Sequence, residues 1–192
     1  MQDKKQDRRT ERTRKAIRDA FTSLIIEKEF TEITITELAE RANINRKTFY
    51  SHYECIEDVL DDLQSSLGER IEEIYRRNNK GPFDIKAFTL TIDEILSEDY
   101  NLIRRLVMAN EYRFFSRKIK DSLKEAFIAQ YRQYSNINEN VLNVVAEYCV
   151  AGIIKVYKVW FEDETAFTQE ELARLVGRLI WGGMTAISEA GL

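Results

Sequence analysis

Apolar residues recur along most of this chain at the three-to-four-residue spacing of an α-helix. One such stripe predicts a first helix over about residues 10–28. A second predicts a long helix over about 56–78, which ends before the breaker pair Gly81 and Pro82. Five further helices are predicted, at about 83–96, 100–109, 113–134, 139–162 and 169–189. With two short helices described next, the pattern predicts an all-α fold of about nine helices.

Residues 34–53 predict two short helices around a tight turn. Thr34 and Glu37 have the spacing of a capping box, in which the threonine oxygen accepts a backbone hydrogen bond and the glutamate bonds back. Asn43 follows at the turn, where asparagine tolerates a positive φ. Asn45 is then placed to cap the second short helix. The arrangement is typical of a helix-turn-helix, whose second helix enters the major groove of DNA.

The second short helix predicts one inward and one outward face. Phe49 and Tyr53 lie four residues apart and share a face with Ile44, so we expect them to anchor the helix. The outward residues share an ability to donate to phosphate oxygens or base edges, and no acid is among them. They are Arg46, Lys47, Thr48, Tyr50, Ser51 and His52.

The segment from about Arg12 to Leu60 resembles the TetR family of bacterial transcriptional regulators. TITELAERANI and NRKTFYSHYECIEDVL carry the resemblance, the latter through its Tyr-x-His-aromatic run before a long fourth helix. Two positions depart from the family: Asn43 stands where glycine is usual, and Ile56 where a phosphate-gripping lysine is usual. For His52, a surface or capping role is the alternative to DNA contact. The resemblance implies DNA contacts from Thr34, Asn45, Arg46, Lys47, Thr48, Tyr50, Ser51 and His52.

The resemblance also implies a domain organisation and a function. Residues 1–55 are expected to form the helix-turn-helix DNA-binding domain, and residues 56–192 a helical domain for ligand or partner sensing and dimerisation. The expected protein is a repressor that binds a palindromic operator as a homodimer and is released by an effector. The alternative is a coactivator or adaptor of the same fold, controlled by a protein partner, with weak or no DNA binding of its own. Ile56 favours that alternative.

The last two predicted helices are candidates for the dimer interface. Apolar residues surround most of the first of them, which indicates burial on two sides. The second contains three glycines, where another backbone can approach closely. The alternative is that these glycines only kink an intramolecular helix. The expected interface residues are Tyr157, Trp160, Gly177, Ile180, Trp181 and Met184.

An effector site is expected in the C-terminal domain, because relatives of this kind commonly hold a small molecule there. Aromatic residues and one arginine are the candidates, although aromatics at helical spacing are also typical of a core. The effector is an unknown small molecule or a protein. The candidate residues are Tyr100, Arg104, Tyr112, Phe127, Tyr131 and Tyr148.

The charge distribution agrees with a DNA-binding N-terminus. The net charge is −4, but residues 1–53 carry a net +3 and the remainder −7. Six basic residues fall within eleven positions near the N-terminus, and this basic arm is expected to reach phosphates or a minor groove. Its alternative is a solvated, frayed terminus. The arm consists of Arg8, Arg9, Arg12, Arg14, Lys15 and Arg18.

Other classes of function have little support in the sequence. One histidine, two distant cysteines and no glycine-rich phosphate loop leave no catalytic constellation, so neither an enzyme, a metal site nor a cofactor is expected. The two cysteines and the charged N-terminus favour a cytoplasmic protein. The most apolar stretch, 141–161, is interrupted by charged residues and is expected to be a buried helix and not a membrane span.

Overall fold

The computed structural model describes residues 2–108, 117–134 and 137–190, with side chains from residue 8 onward except at 117, 118 and 134. These residues form nine α-helices and one 3-10 turn, Phe30–Glu32. In chain order the α-helices are α1 (Gln2–Glu27), α2 (Ile35–Arg41), α3 (Arg46–Tyr50), α4 (Ile56–Asn78), α5 (Ile85–Glu98), α6 (Tyr100–Met108), α7 (Arg117–Tyr134), α8 (Glu139–Glu162) and α9 (Gln169–Glu189).

The all-α prediction is confirmed, and most helix bounds agree with the sequence to within two residues. The main difference is α1, which begins at Gln2 and not near residue 10. Charged residues dominate its first turns, so hydrophobic periodicity does not reveal them. The predicted start of α7 near residue 113 lies outside the described residues, and α7 is described from Arg117 onward.

The chain divides into two compact units, Met1–Ser66 and Leu67–Leu192, so the division falls within α4. The first unit contains α1, α2, α3 and the first turns of α4. Its centre is formed by aliphatic and aromatic side chains that α1 and the two short helices bury against one another, among them Ile17, Phe21, Leu24, Leu38 and Phe49. This core holds the helix-turn-helix together.

The second unit is a bundle in which α5 pairs with α9, and α7 and α6 each pair with α8. Gly177 of α9 allows the first of these pairs to approach closely. A Cβ at that position would lie 3.2 Å from both Ile85 Cγ2 and Phe88 Cδ1. The three-glycine pattern of α9 therefore has an intramolecular cause at this position.

Side-chain caps fix the starts of the short helices. Thr34 Oγ1 accepts from the Glu37 amide, as predicted, and Asn45 Oδ1 accepts from the Thr48 amide at 2.8 Å. Asn43 between them has φ 54°, which confirms the predicted left-handed turn. The reciprocal half of the predicted capping box is wrong, because the Glu37 carboxylate accepts from Lys28 Nζ instead of bonding back.

None of the described helices combines the length and apolarity required to cross a lipid bilayer.

Candidate functional site

The outward face of α3 is polar, as the sequence predicted, and its inward face is anchored. Phe49 is fully buried and Tyr53 is 4% exposed, and their rings lie 5.9 Å apart. Arg46 and Lys47 are exposed, and Tyr50 is 49% exposed with its ring edge-on to Phe49. Because the anchors fix the rotation of the helix, two cations and a phenol project from one short surface.

Three other predicted DNA-contact residues already make hydrogen bonds within the helix. Asn45 Oδ1 accepts from the amide and, at 3.1 Å, from the hydroxyl of Thr48. Ser51 Oγ donates to the Thr48 carbonyl at 2.7 Å. Thr34 is exposed at the N-cap of α2, and His52 is half-buried after α3. Asn45 and Thr48 therefore define where α3 begins, whatever else they contact.

A partly buried polar network ties α1 and α4 to Tyr53, which follows α3. Asp62 Oδ2 accepts from Arg18 Nη1 at 2.8 Å and from the Tyr53 hydroxyl at 2.5 Å. Arg18 also donates to Glu11 at 2.9 Å, and the Arg14 guanidinium lies 5.1 Å from the Tyr53 ring centroid. This network orients Tyr53, one of the two aromatic anchors of α3, from a residue on α4.

The protonation of the network follows from its hydrogen bonds. Burial alone raises the pKa of Asp62, but the hydrogen bonds from Tyr53 and Arg18 outweigh it and leave that pKa below its usual value. Burial, followed by the bond to Asp62, raises the pKa of the Tyr53 phenol. Asp62 therefore stays ionised and Tyr53 stays neutral at neutral pH, which keeps the donor and acceptor roles fixed.

The basic arm divides into engaged and exposed residues. Arg18 pairs with Asp62, Arg14 covers Tyr53, and Lys15 pairs with Asp19 at 2.8 Å. The remaining three cations of the arm, Arg8, Arg9 and Arg12, are exposed on the helical surface of α1. The predicted arm is thus part of a helix, and about half of its charge stabilises the first unit.

The start of α4 carries acids where the family pattern has a lysine. Ile56 is half-buried, and Asp58 Oδ2 accepts from the amides of Glu54 at 2.8 Å and Cys55 at 3.2 Å. Glu54 and Glu57 are exposed beside it. These carboxylates stabilise the positive N-terminal end of the helix dipole but repel a nearby phosphate.

The second unit contains a cavity of about 90 Å³. Every helix from α4 to α8 contributes to its wall, and α4 does so through Ile71 and Tyr75. The wall is formed by Ile71, Tyr75, Phe88, Thr91, Ile92, Ile95, Leu96, Ile103, Val107, Leu123, Phe127, Val150, Ile153, Ile154, Tyr157 and Phe161.

Of the predicted effector residues, Phe127 is part of this wall. Arg104 is not: it donates to the Phe161 carbonyl and pairs with Glu164, each at 3.2 Å, and so holds the C-terminal end of α8. Tyr100 packs edge-on against Phe161, and Tyr131 is buried near Phe83 and Trp181. Tyr148 is 79% exposed, and Tyr112 lies outside the described residues.

The predicted dimer residues are mostly buried within the chain itself. Tyr157 lines the cavity, and Trp160 is buried with its indole donating to the Phe167 carbonyl at 2.8 Å. Gly177 packs against α5, whereas Trp181 is 46% exposed and stacks on Phe83. Ile180 and Met184 form the floor of a groove between α8 and α9. These residues leave little area for a partner, with the exception of Trp181.

Other residues of the same two helices form an exposed apolar face, here called the α8/α9 face. It consists of Val144, Tyr148, Val159, Leu175 and Leu179, which are between 45% and 79% exposed. The groove beside them measures about 660 Å³ and has no charged residue in its wall. A Cβ at Gly182 or Gly183 would meet no atom within 4 Å, so these glycines are open to a neighbouring molecule.

Sequence reasoning missed Asp62, the cavity wall and the exact residues of the α8/α9 face. The sequence does contain a signal for the α8/α9 face, because Val144, Tyr148 and Val159 repeat along one side of α8 at helical spacing. Within the described ranges, no group of three or more His, Cys, Asp or Glu side chains is close enough to hold a metal ion.

Comparison with known proteins identifies the class to which this fold belongs. A family model described as "Transcriptional regulator C-terminal region" (TetR_C_8) matches residues 84–182, more than half of the chain. The chain belongs to the TetR family of transcriptional regulators.

Individual relatives agree with this assignment. The HTH-type transcriptional regulator YxbF of Bacillus subtilis is 29% identical over 174 residues, which span 90% of this chain and 45% of that protein. A TetR regulator from Streptococcus agalactiae has a similar structure, with a TM-score of 0.68, 22% identity, and coverage of 91% of this chain and 97% of that one. The TetR-family repressor FadR of Thermus thermophilus, solved in complex with lauroyl-CoA, has a TM-score of 0.61 and 21% identity, with 89% and 94% coverage.

Proposed function

We propose that this TetR-family regulator binds a palindromic operator as a homodimer, represses transcription there, and is released by an effector bound in its second unit. The observation that supports DNA binding most strongly is the acid-free outward face of α3. Arg46, Lys47 and Tyr50 are exposed there, while Phe49 and Tyr53 hold the helix from behind. Such a surface offers donors to base edges and phosphates without an internal acid to neutralise them.

Each outward residue has a role in this proposal. Arg46, Lys47 and Thr48 contact bases or phosphates near the start of α3, and Tyr50, Ser51 and His52 contact the DNA backbone. Thr34 and Asn45 add contacts from the N-caps of the two short helices. Arg8, Arg9 and Arg12 supplement them with non-specific attraction, because exposed cations release counterions from DNA.

Dimerisation is supported by the α8/α9 face. Monomeric proteins rarely expose a contiguous apolar patch of several large side chains, and this face combines five of them with two open glycines. Regulators of the TetR family bind DNA as dimers, so a second copy of this chain is the partner that the face fits. Two recognition helices then meet half-sites about 34–36 Å apart, or a multiple of that.

Effector control is supported by the cavity. Its wall includes Ile71 and Tyr75 of α4, and the same continuous helix carries Asp62, which holds Tyr53 and Arg18. A ligand that displaces Ile71 or Tyr75 moves the helix on which the Asp62 network depends. The effector is thereby linked to the orientation of the recognition helix.

A selection of duplexes from random DNA, followed by affinity measurements at several salt concentrations, tests DNA recognition. We expect a two-fold symmetric consensus. Replacing Lys47 by alanine should lower operator affinity about tenfold. The same change should reduce the slope of log K against log salt by about 0.9 for each phosphate that the lysine neutralises.

The matched control for Lys47→Ala is Lys86→Ala, which removes an exposed lysine from α5 in the second unit. Lys86→Ala should change neither the operator affinity nor its salt dependence. If the two variants behave alike, α3 is not the DNA-reading element. If the selection yields no consensus, sequence-specific binding by the chain alone is disproved.

A second function is favoured by the start of α4. Ile56 replaces a phosphate-binding lysine, and Glu54 and Glu57 are exposed beside it. These residues fit an adaptor of TetR fold that a protein partner controls and that binds DNA weakly by itself. The same selection distinguishes the two: an adaptor yields a consensus only when its partner is present.

A further inference from the structure

The cavity in the second unit is unusual in how few polar groups its wall offers. Among the described residues of the wall, only Thr91, Tyr75 and Tyr157 carry a side-chain oxygen, and none carries a charge. Two of these oxygens are already engaged. Thr91 Oγ1 donates to the Ala87 carbonyl at 2.8 Å and accepts from Asn79 Nδ2 at 3.0 Å, and the Tyr75 hydroxyl bonds to Gln130 Oε1.

Tyr157 differs from the other two. Its side chain is 5% exposed, and its hydroxyl is buried without a hydrogen-bond partner in the described part of the chain. The hydroxyl oxygen has almost no accessible surface, so it does not open into the cavity and offers a ligand there no hydrogen bond. Burial, followed by the nearby charge of Asp93, raises the pKa of Tyr157, so the phenol is neutral.

We infer that this cavity binds a small, neutral and apolar molecule, because the described residues of its wall expose no charge and almost no polar surface to it. The inference rests on the proposed effector control and specifies the class of effector. It excludes carboxylates, phosphates and ammonium groups inside the cavity. An ionic group would lose its hydration there without a counter-charge, and Arg104 of α6 is committed to Glu164 and the Phe161 carbonyl.

The size of the ligand follows from the volume. The cavity of about 90 Å³ is smaller than the apolar cavities of about 150 Å³ that are known to hold benzene. The molecule, or the part of it that enters the cavity, is therefore no larger than one small ring or a short alkyl chain.

The test uses the full chain and three probes: benzene, methyl propyl ketone and butyrate. The last two have nearly the same shape and differ in charge. At about ten times its dissociation constant, each neutral probe should raise Tm by about 3–5 °C. Butyrate should leave Tm unchanged. Equal stabilisation by butyrate and the ketone, or no effect of either neutral probe, would overturn the inference.

Two variants locate the binding. Ile95→Phe should fill the cavity and abolish the effect of both neutral probes, whereas Leu90→Phe, on the exposed side of the same helix, should preserve it. Ile92→Phe, at another position of the cavity wall, should have the same effect as Ile95→Phe, so the result does not depend on the folding of Ile95→Phe alone. A stabilisation that persists in both Ile95→Phe and Ile92→Phe would overturn the assignment of this site.

Operator affinity without any probe is measured on the same preparations. Loss of the probe response with intact operator binding rejects the ligand class and leaves DNA recognition standing. A normal probe response without operator binding supports the ligand class and rejects the proposed regulator.

Discussion

The two units of this protein expose opposite chemistry. In the first unit the distinctive surface is α3, where Arg46 and Lys47 are exposed and held by a buried aromatic anchor. In the second it is the α8/α9 face, where Val144, Tyr148 and Leu179 are each at least 66% exposed. A cationic surface attracts a polyanion by a force that salt weakens, whereas an apolar surface associates by excluding water. The difference is what the proposal requires, in which the first unit binds DNA and the second binds another copy of the chain.

The interiors differ as well. The first unit places one ionic network, Arg18–Asp62–Tyr53, among its helices, and the second leaves an apolar cavity. The network is directional and holds Tyr53, one of the two aromatic anchors of α3. The apolar contacts in the cavity wall have no preferred direction, so they can accommodate different occupants. One interior is therefore suited to positioning and the other to sensing.

The largest expected effect comes from placing a charge on the α8/α9 face. Leu179→Glu should dissociate the dimer and lower operator affinity at least about a hundredfold, because two linked heads bind far more tightly than one. Sedimentation velocity and fluorescence anisotropy measure the two effects. Leu90→Glu, a comparably exposed leucine on α5, is the control and should change neither. A variant Leu179→Glu that remains dimeric would show that this face is not the interface.

The second effect concerns the Asp62 network. Asp62→Asn should destabilise the chain by about 1–3 kcal/mol, because Arg18 loses a charged partner and Tyr53 a strong acceptor. Denaturant unfolding measures this loss. Asp61→Asn is the matched control, since Asp61 is the exposed neighbour on α4.

The difference in unfolding free energy between the native chain and Asp62→Asn should depend on pH with a definite sign. The pKa of Asp62 is lowered in the folded chain, so its contribution is present above the unfolded value of about 4 and disappears as the pH falls through the folded value. The gap in stability between the native chain and Asp62→Asn should therefore be largest near neutral pH and shrink below about pH 4. A gap that grows in acid would contradict the assigned hydrogen bonds.

A pair of glycines separates packing inside the second unit from packing against a partner. In the dissociated Leu179→Glu background, Gly177→Ala should lose about 1 kcal/mol through crowding against Ile85 and Phe88. Gly182→Ala should instead gain about 0.5–1 kcal/mol there from helix propensity. In the otherwise native chain, Gly182→Ala should weaken self-association. Thermal unfolding and sedimentation check these expectations, and equal effects of the two changes would contradict them.

The smallest expected effect is a gain at the start of α4. Ile56→Lys should raise operator affinity a few-fold and steepen the salt slope by about 0.9, by adding one phosphate contact. Anisotropy titrations at several salt concentrations measure it. An unchanged slope would mean that this helix end does not approach the DNA backbone.

Local features of the sequence were sufficient for most of the fold. Periodicity located the helices from α4 onward, and the left-handed Asn43 and the cap at Asn45 follow from the chemistry of those side chains alone. The start of α1 was missed because its first turns carry no apolar stripe. The partner of the Glu37 carboxylate was not predicted either. Its pairing with Lys28 depends on how two segments pack together and not on residue spacing along one helix.

The candidate sites were less predictable because they depend on how separate helices pack together. The outward face of α3 could be read from one helix, and the structure exposes Arg46, Lys47 and Tyr50 on it. Which side of α8 faces its own unit depends on contacts from α6 and α7, so Tyr157 and Val144 could not be assigned from the sequence. The cavity requires five helices to be placed together, and no single segment encodes it.

The most direct test of the central claim is the stoichiometry on a selected operator duplex, measured by sedimentation velocity of the native chain and of Leu179→Glu. We predict that the native chain binds as an even number of copies, one per half-site, and that Leu179→Glu at the same concentration leaves the duplex largely free. A native chain that binds one copy per duplex with the same affinity as Leu179→Glu would contradict the account.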